Sequence, residues 1–362
     1  MSLADIMTLQ ALFGLAVVVF EFPSGYVADR IGRRRSLLVG ASVQILGWIA
    51  YTAAASFPAV ALAEMLLGAG AAFVSGADRA LLWTSLRDSG RHAEYPRWEG
   101  RMRGVGQISE AVSSAVGGWL YALSPRLPFW LQVPNAVAGL ATVVALREGP
   151  QPRASLTDSH LRRAWHLVGF TLWRHRRLQA AMALSVALGL SSFVMVWLIQ
   201  PYLQHRGVAP AWFGPIWAGA HVWLAGVSLV SARMTAAFGV RAILVGCCLL
   251  VPIGYTGLAM SVSAWGAAFY LCFMTLRGLQ GPILATLMQA DAPDEDRAGV
   301  LSLVALLFRL AFVAAGPPIG LLVDRVGLET AFGVLAVGFT ALDVIALALF
   351  LRAHRMEGAR GT

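Results

Sequence analysis

Phe20-Glu21-Phe22-Pro23-Ser24-Gly25-Tyr26-Val27-Ala28-Asp29-Arg30-Ile31-Gly32-Arg33-Arg34-Arg35 ends one long apolar run and opens the next. The flanking runs, residues 7 to 27 and 36 to 55, each hold about 20 mostly apolar residues, the length a helix needs to cross a bilayer. Four arginines between two such runs cannot lie in hydrocarbon, so this stretch is a tight basic turn at a membrane face. Gly25 and Gly32 permit close backbone approach and a sharp change of direction.

The whole chain has the same character. Of 362 residues, 58% are hydrophobic and 13% charged, about half the charged share of globular proteins. Mean hydropathy is +0.67. The apolar runs lack the two-residue alternation of barrel strands, so the spans are helices. This excludes soluble enzymes, secreted disulfide scaffolds and disordered chains. Cys247, Cys248 and Cys272 fall inside apolar runs, where thiols act as small hydrophobes, and no disulfide is implied. The first ten residues lack the basic start and cleavage site of a signal peptide.

Eleven spans are expected, near 7–27, 36–55, 57–78, 103–122, 128–146, 179–203, 212–232, 240–260, 264–289, 298–322 and 329–351. The net charge is +9 and all 28 basic residues are arginine. They do not form one patch, so no nucleic-acid partner is expected. With loops assigned alternately, 23 arginines lie on one side and 3 on the other, with Arg277 and Arg309 inside spans. The positive-inside rule places the C-terminus in the cytoplasm and Met1 outside. The only long polar stretch begins at the helix-hostile Gly149-Pro150-Gln151-Pro152. It divides the chain into an N-terminal bundle of five helices (1–147), a cytoplasmic linker (148–178) and a C-terminal bundle of six (179–362). Thr157, Asp158 and Ser159 can cap a helix in the linker, with Leu161, Trp165, Val168 and Leu172 on one face, lying in the membrane interface.

The halves echo each other. Leu38-Val39-Gly40 recurs as Leu244-Val245-Gly246, and Glu64, Gly68 and Asp78 align at one offset with Arg277, Gly281 and Asp291. Such order-preserving matches mark a duplicated transporter fold of two pseudo-symmetric bundles.

Gly25 to Arg35 resembles the loop signature of the major facilitator superfamily, Gly-x-x-x-Asp-Arg-x-Gly-Arg-Arg, with every defining position present. Phe20 to Gly25 is similar to the Glu-x-Pro-Thr/Ser-Gly form of bacterial members. Ser75 to Leu86 resembles a bacterial subgroup with a Gly-Thr/Ser-Asp-x-Ala-Leu-Leu-Tyr-Asp-Ser-Leu run, Trp83-Thr84 standing for Tyr-Asp. The resemblance implies an all-α membrane protein of that fold and a loop, Gly25, Asp29, Arg30, Gly32 and Arg33, that latches the halves on the cytoplasmic side, with Asp29 facing the start of the span near Ala298. Members have twelve spans, with this motif between the second and third. The eleven spans here are therefore family helices two to twelve, and the expected coding region begins about 30 to 50 residues upstream. The C-terminal counterpart of the motif, Arg233 to Arg241, carries no acid.

Ionisable groups at bilayer depth are costly and mark function by default. They are Glu21, Glu64, Glu110, Arg277, Arg309, His221 and Asp343. At 1.5 Å per residue, Arg309 lies ~16 Å and Arg277 ~20 Å into their spans. Each needs an anion, either a carboxylate of the other half or an acidic group of a substrate. Trp130, Trp212 and Trp265 sit near span ends as interfacial belts do, while Trp197 and Trp223 lie deeper. Histidine and cysteine spacing supports no metal site, and no glycine loop followed by lysine cradles phosphate, so no cofactor is expected. The sequence is read as a monomeric secondary transporter of the bacterial cytoplasmic membrane, proton-coupled and exporting a small organic compound, with lipid bilayer, protons and solute as partners. Uptake of a metabolite, a non-transporting sensor and a membrane-embedded lipid enzyme are the alternatives.

Overall fold

The computed structural model describes residues 1–149, 175–293 and 297–358. The interfacial helix expected at 157–172 lies outside them. The described elements are all helical: α1 (Leu3–Ile31), α2 (Arg33–Ala53), α3 (Phe57–Val74), α4 (Ala77–Asp88), α5 (Tyr95–Leu123), α6 (Leu127–Ala145), α7 (Arg176–His205), α8 (Phe213–Phe238), α9 (Val240–Met260), α10 (Tyr270–Asp291), α11 (Arg297–Val326) and α12 (Leu328–Gly358), with single 3-10 turns at His92–Glu94, Pro210–Trp212 and Ala264–Phe269.

Among the described residues, ten segments are long and apolar enough to cross a membrane. The remaining long helix, α5, has 29 residues. It begins at Tyr95, earlier than expected, because Arg97, Glu99 and Arg101 are good helix formers that carry the helix two turns ahead of the apolar run. Likewise the span expected at 57–78 does not end there. Gly76, at φ 85°, breaks the helix, and the chain continues as α4 to Asp88. At the N-terminus, Ser2 and Asp5 form a reciprocal capping box that satisfies two amides otherwise left open.

The contacts divide the chain into two compact units, Met1–Ser155 with Pro210–Pro215, and Leu156–Ala209 with Ile216–Thr362. In the first, α3 packs on both α1 and α2, and α2 on α6. Close approach, rather than bulk, holds these helices. A Cβ on Gly68 would lie 2.5 Å from the Phe13 carbonyl oxygen, and Gly40 and Gly70 face each other across the α2–α3 contact, where a Cβ on either would come within 3.0 Å of the other's carbonyl oxygen. Without a hydrophobic force between helices in lipid, small residues that admit van der Waals contact are what the interface needs. In the second unit α7 is the central helix, packed on α10 and α12, with its Leu184, Leu188, Met195 and Leu198 buried, and α9 lies along α12. Tyr255 and Phe339 stack there, with ring centroids 5.7 Å apart.

Candidate functional site

The basic turn is a clamp within the first unit. Gly32 joins α1 to α2 at φ 112° and ψ 147°, a conformation open to glycine. The elbow exposes the first amides of α2, and the Glu148 carboxylate takes them, accepting from the backbone N–H of Arg33 at 2.8 Å and of Arg34 at 3.0 Å. An anion at a helix N-terminus meets both the open donors and the positive end of the helix dipole. Arg33 reaches across to α4, donating to the Ala80 carbonyl at 2.6 Å and the Thr84 hydroxyl at 3.0 Å. Arg34 donates to the Val144 carbonyl at the end of α6 at 2.7 Å. Arg30 folds back on Tyr26, hydrogen-bonding its hydroxyl and lying 5.7 Å from the ring centroid. Four helices meet at this one turn. Gly25 and Asp29 are exposed on the last turns of α1.

Thr84 stands where the resembled subgroup has an acid, and it is the partner of Arg33. Glu148 was not singled out by the sequence, since more than a hundred residues separate it from the amides it caps. Beyond the end of α4, Arg91 and Glu94 pair at 2.7 Å. Hydrogen bonds from Arg91 and then Trp98 hold the Glu94 carboxyl down to about 2, although it is exposed.

Deeper in the first unit, Glu64 is 6% exposed and its carboxylate accepts a long hydrogen bond, 3.4 Å, from Gln10 of α1. Gln10, too, was not anticipated. Glu21 is half-buried on α1, its carbonyl accepting from Ser24 at 2.9 Å beside Pro23, which has no N–H to offer the helix. Glu110 is exposed on α5 and is 3.5 Å from the Gln107 amide of its own helix. The structure therefore buries one of these three carboxylates.

In the second unit, Arg277 occupies the same step along α10 that Glu64 occupies along α3. Its guanidinium lies 5.7 Å from the centroid of Phe193 on α7. Phe193 in turn meets Phe308 and Phe312 of α11 edge to face, at 5.2 and 5.1 Å, and Trp197 at 6.3 Å. The Trp197 indole N–H is buried without a hydrogen-bond partner. Arg309 is half-buried and follows Phe308 on α11. A cation over an aromatic face beside an open N–H donor can hold a planar organic group. The Trp223 indole donates to Thr275 at 2.9 Å and Ser228 to the Gly278 carbonyl at 3.2 Å, fastening α8 to α10 on either side of Arg277. His221 is occupied locally, its Nδ1 3.0 Å from the Trp217 carbonyl oxygen and its ring stacked on that indole. Asp343 is fully buried on α12. Ser191, which lies beside it, and Phe193 are two residues apart on α7 and so point to nearly opposite sides of that helix.

The sequence model described as Major Facilitator Superfamily matches residues 1–315. The drug efflux pump JefA of Mycobacterium tuberculosis is 29% identical over 208 residues, 54% of this chain and 39% of that relative, so the chain spans less than half of the relative's length. An uncharacterized MFS-type transporter of Bacillus subtilis, YceJ, is 24% identical over 286 residues, 78% of this chain and 71% of that one. Among solved structures, the nucleoside transporter NupG superposes with a TM-score of 0.79 at 14% identity, covering 97% of this chain and 91% of its own. A D-xylose-proton symporter gives 0.71 at 15% identity, with 97% and 88% covered. At these identities the two structures speak for the fold.

Proposed function

The chain belongs to the Major Facilitator Superfamily, and from that membership we propose that it is a secondary transporter moving a small organic solute across the cytoplasmic membrane by alternating access, with the C-terminus in the cytoplasm. The observation that carries the reading is the matched pair of charges at bilayer depth: Glu64 and Arg277 stand at the same step of corresponding helices, one an acid and the other a base. Lipid-depth charges persist where function requires them. In this reading Arg277 and the ring cluster around Phe193 hold the solute. Glu64 carries the driving proton, losing its charge on protonation where water is excluded. The export direction is supported by the Mycobacterium relative, a drug efflux pump. The basic turn, through Asp29, is the latch whose release opens the cytoplasmic side. No enzyme chemistry enters, and the relatives and solved structures named above are called pumps, transporters or symporters.

Reconstitution into lipid vesicles with an imposed pH gradient tests this. A panel of organic cations, anions and neutral compounds is followed for accumulation. At least one compound should accumulate at least tenfold in response to the gradient. Glu64→Gln should abolish that accumulation while retaining exchange of the same compound between the two sides. A wild-type protein that leaves the entire panel undisturbed by the gradient defeats the reading. A Glu64→Gln variant that accumulates as the wild type does removes Glu64 from it.

A further inference from the structure

Asp343 lies midway along α12 with a relative exposure of 0%, and neither of its carboxylate oxygens has a hydrogen-bond partner. The helices packed most heavily on α12 are α9 and α7. From α9 come the thiols of Cys247 and Cys248 and the phenol of Tyr255, and from α7 the hydroxyl of Ser191. The third neighbour, α11, carries Arg309, Asp324 and Arg325, none of which interacts with the Asp343 carboxylate. No cation among the described residues is therefore beside it.

Tyr255, Ser191 and Cys248 are engaged elsewhere. Tyr255 donates to the Ser191 carbonyl at 2.8 Å, and Ser191 Oγ to the Leu188 carbonyl at 3.1 Å. The Cys248 thiol lies 3.8 Å from the backbone carbonyl oxygen of Asp343 rather than its carboxylate. Cys247, Cys248 and Asp343 do not converge into a group able to hold a metal ion. An anion without donors or counter-ion in a dry interior is the costliest arrangement a carboxyl can adopt. The neutral acid asks for far less, a single acceptor for its one O–H. Ser191 Oγ, already donating to Leu188, keeps lone pairs for that purpose.

We propose that Asp343 is a proton-binding site of the second unit, separate from the Arg277 surface, that holds its proton in the arrangement seen here and exchanges it when α7 and α9 part enough to admit water. Its place in a transport cycle rests on the proton-coupled reading above; the proton itself rests on the geometry around the carboxyl.

Infrared spectroscopy of the purified protein in lipid bilayers, from mildly acidic to mildly alkaline pH, reads neutral carboxyls through their C=O stretch. The wild type should show such a band that Asp343→Asn removes and Glu64→Gln leaves in place. Asparagine is close in shape to the neutral acid, so this variant is expected to fold. Should it not, Ser191→Ala serves, since loss of the accepting hydroxyl must shift the Asp343 band. Superimposable spectra of wild type and Asp343→Asn, or an unshifted band in Ser191→Ala, overturn the site. In the vesicle assay Asp343→Asn should lose at least tenfold in pH-driven accumulation while retaining exchange. Wild-type accumulation by the variant overturns the coupling role and leaves the proton-coupled reading standing. If the wild type itself ignores the gradient, that reading falls and takes the coupling role with it, while the infrared band still decides the proton.

Discussion

The turn between α1 and α2 and the turn between α8 and α9 are the same bend made with different chemistry. Each is a single glycine. Gly32 sits at φ 112° and ψ 147°, Gly239 at φ 80° and ψ 151°. In the first turn Asp29 stands three residues before the glycine and three arginines follow it. In the second the matching positions are Ala236 before it and Val240, Arg241 and Ala242 after it. The first is fastened to α4 and α6 by Arg33, Arg34 and Glu148, whereas Arg241 is exposed. Backbone geometry thus needs the glycine and nothing else. The charges serve something the second turn does without, the binding of four helix ends into one block and, in the proposed cycle, the latch.

The largest effect should come from the feature the turns share. Both glycines lie in a region of backbone space that side chains with a Cβ scarcely enter, at a cost of about 1–3 kcal/mol. Gly32→Ala and Gly239→Ala should each lower thermal stability in detergent by that order. Gly32→Ala should be the worse of the two, because its new methyl would lie 3.0 Å from Glu148 Oε2 and displace the carboxylate from α2, whereas nothing lies within 4 Å at Gly239. Equal losses would mean that the Glu148 contact adds nothing, and no loss at either site would remove the shared bend as a structural requirement.

A smaller loss should separate the two turns. Glu148→Gln leaves one oxygen to accept and presents an amide N–H to a backbone N–H, removing charge from the start of α2. Losing a cap of this kind costs about 0.5–2 kcal/mol. The start of α9 has no such side-chain cap, so its stability owes nothing to an acid. Melting curves of Glu148→Gln and of the double variant with Arg33→Ala decide whether the clamp acts as one unit. Less than additive losses are expected, because both side chains hold the same turn. Strict additivity would show two independent contacts.

Much of this was legible in the sequence, and for identifiable reasons. Apolar runs and glycine-arginine turns are local signals, so the spans and the bend at Gly32 could be located from neighbouring residues alone. The correspondence of Glu64 with Arg277 came through because duplication preserves spacing. What escaped notice was set by packing between distant segments. Glu148 reads as an ordinary residue after a span until α6 brings it to α2. Gln10 gains its role only when α1 lies along α3. Phe193, Phe308 and Phe312 are indistinguishable in sequence from lipid-facing phenylalanines, and only their edge-to-face grouping under Arg277 sets them apart. Asp343 was visible as a charge at depth, but its lack of a counter-ion depends on what α7 and α9 place around it.

The smallest expected change sharpens the comparison most. Asp29 is exposed and Ala236 stands in its place in the second turn, so Asp29→Asn removes the one acidic group that distinguishes them before the glycine. Stability should change little, since the side chain packs against nothing that the rest of the turn requires. If Asp29 is the latch, it acts by opposing a helix N-terminus, an interaction worth about 0.3–1 kcal/mol. That energy is too small to unfold the protein, but it would shift the ratio of cytoplasm-open to cytoplasm-closed forms by roughly two- to fivefold, since 1.4 kcal/mol corresponds to a factor of ten. Labelling rates of single cysteines introduced at the cytoplasmic ends of the helices would report the shift, with Ala236→Ser as the control that should leave them unchanged. Faster labelling in Asp29→Asn alone ties the asymmetry between the turns to gating. Identical rates in all three proteins would mean that the charges of the first turn serve only to hold α2, α4 and α6 together.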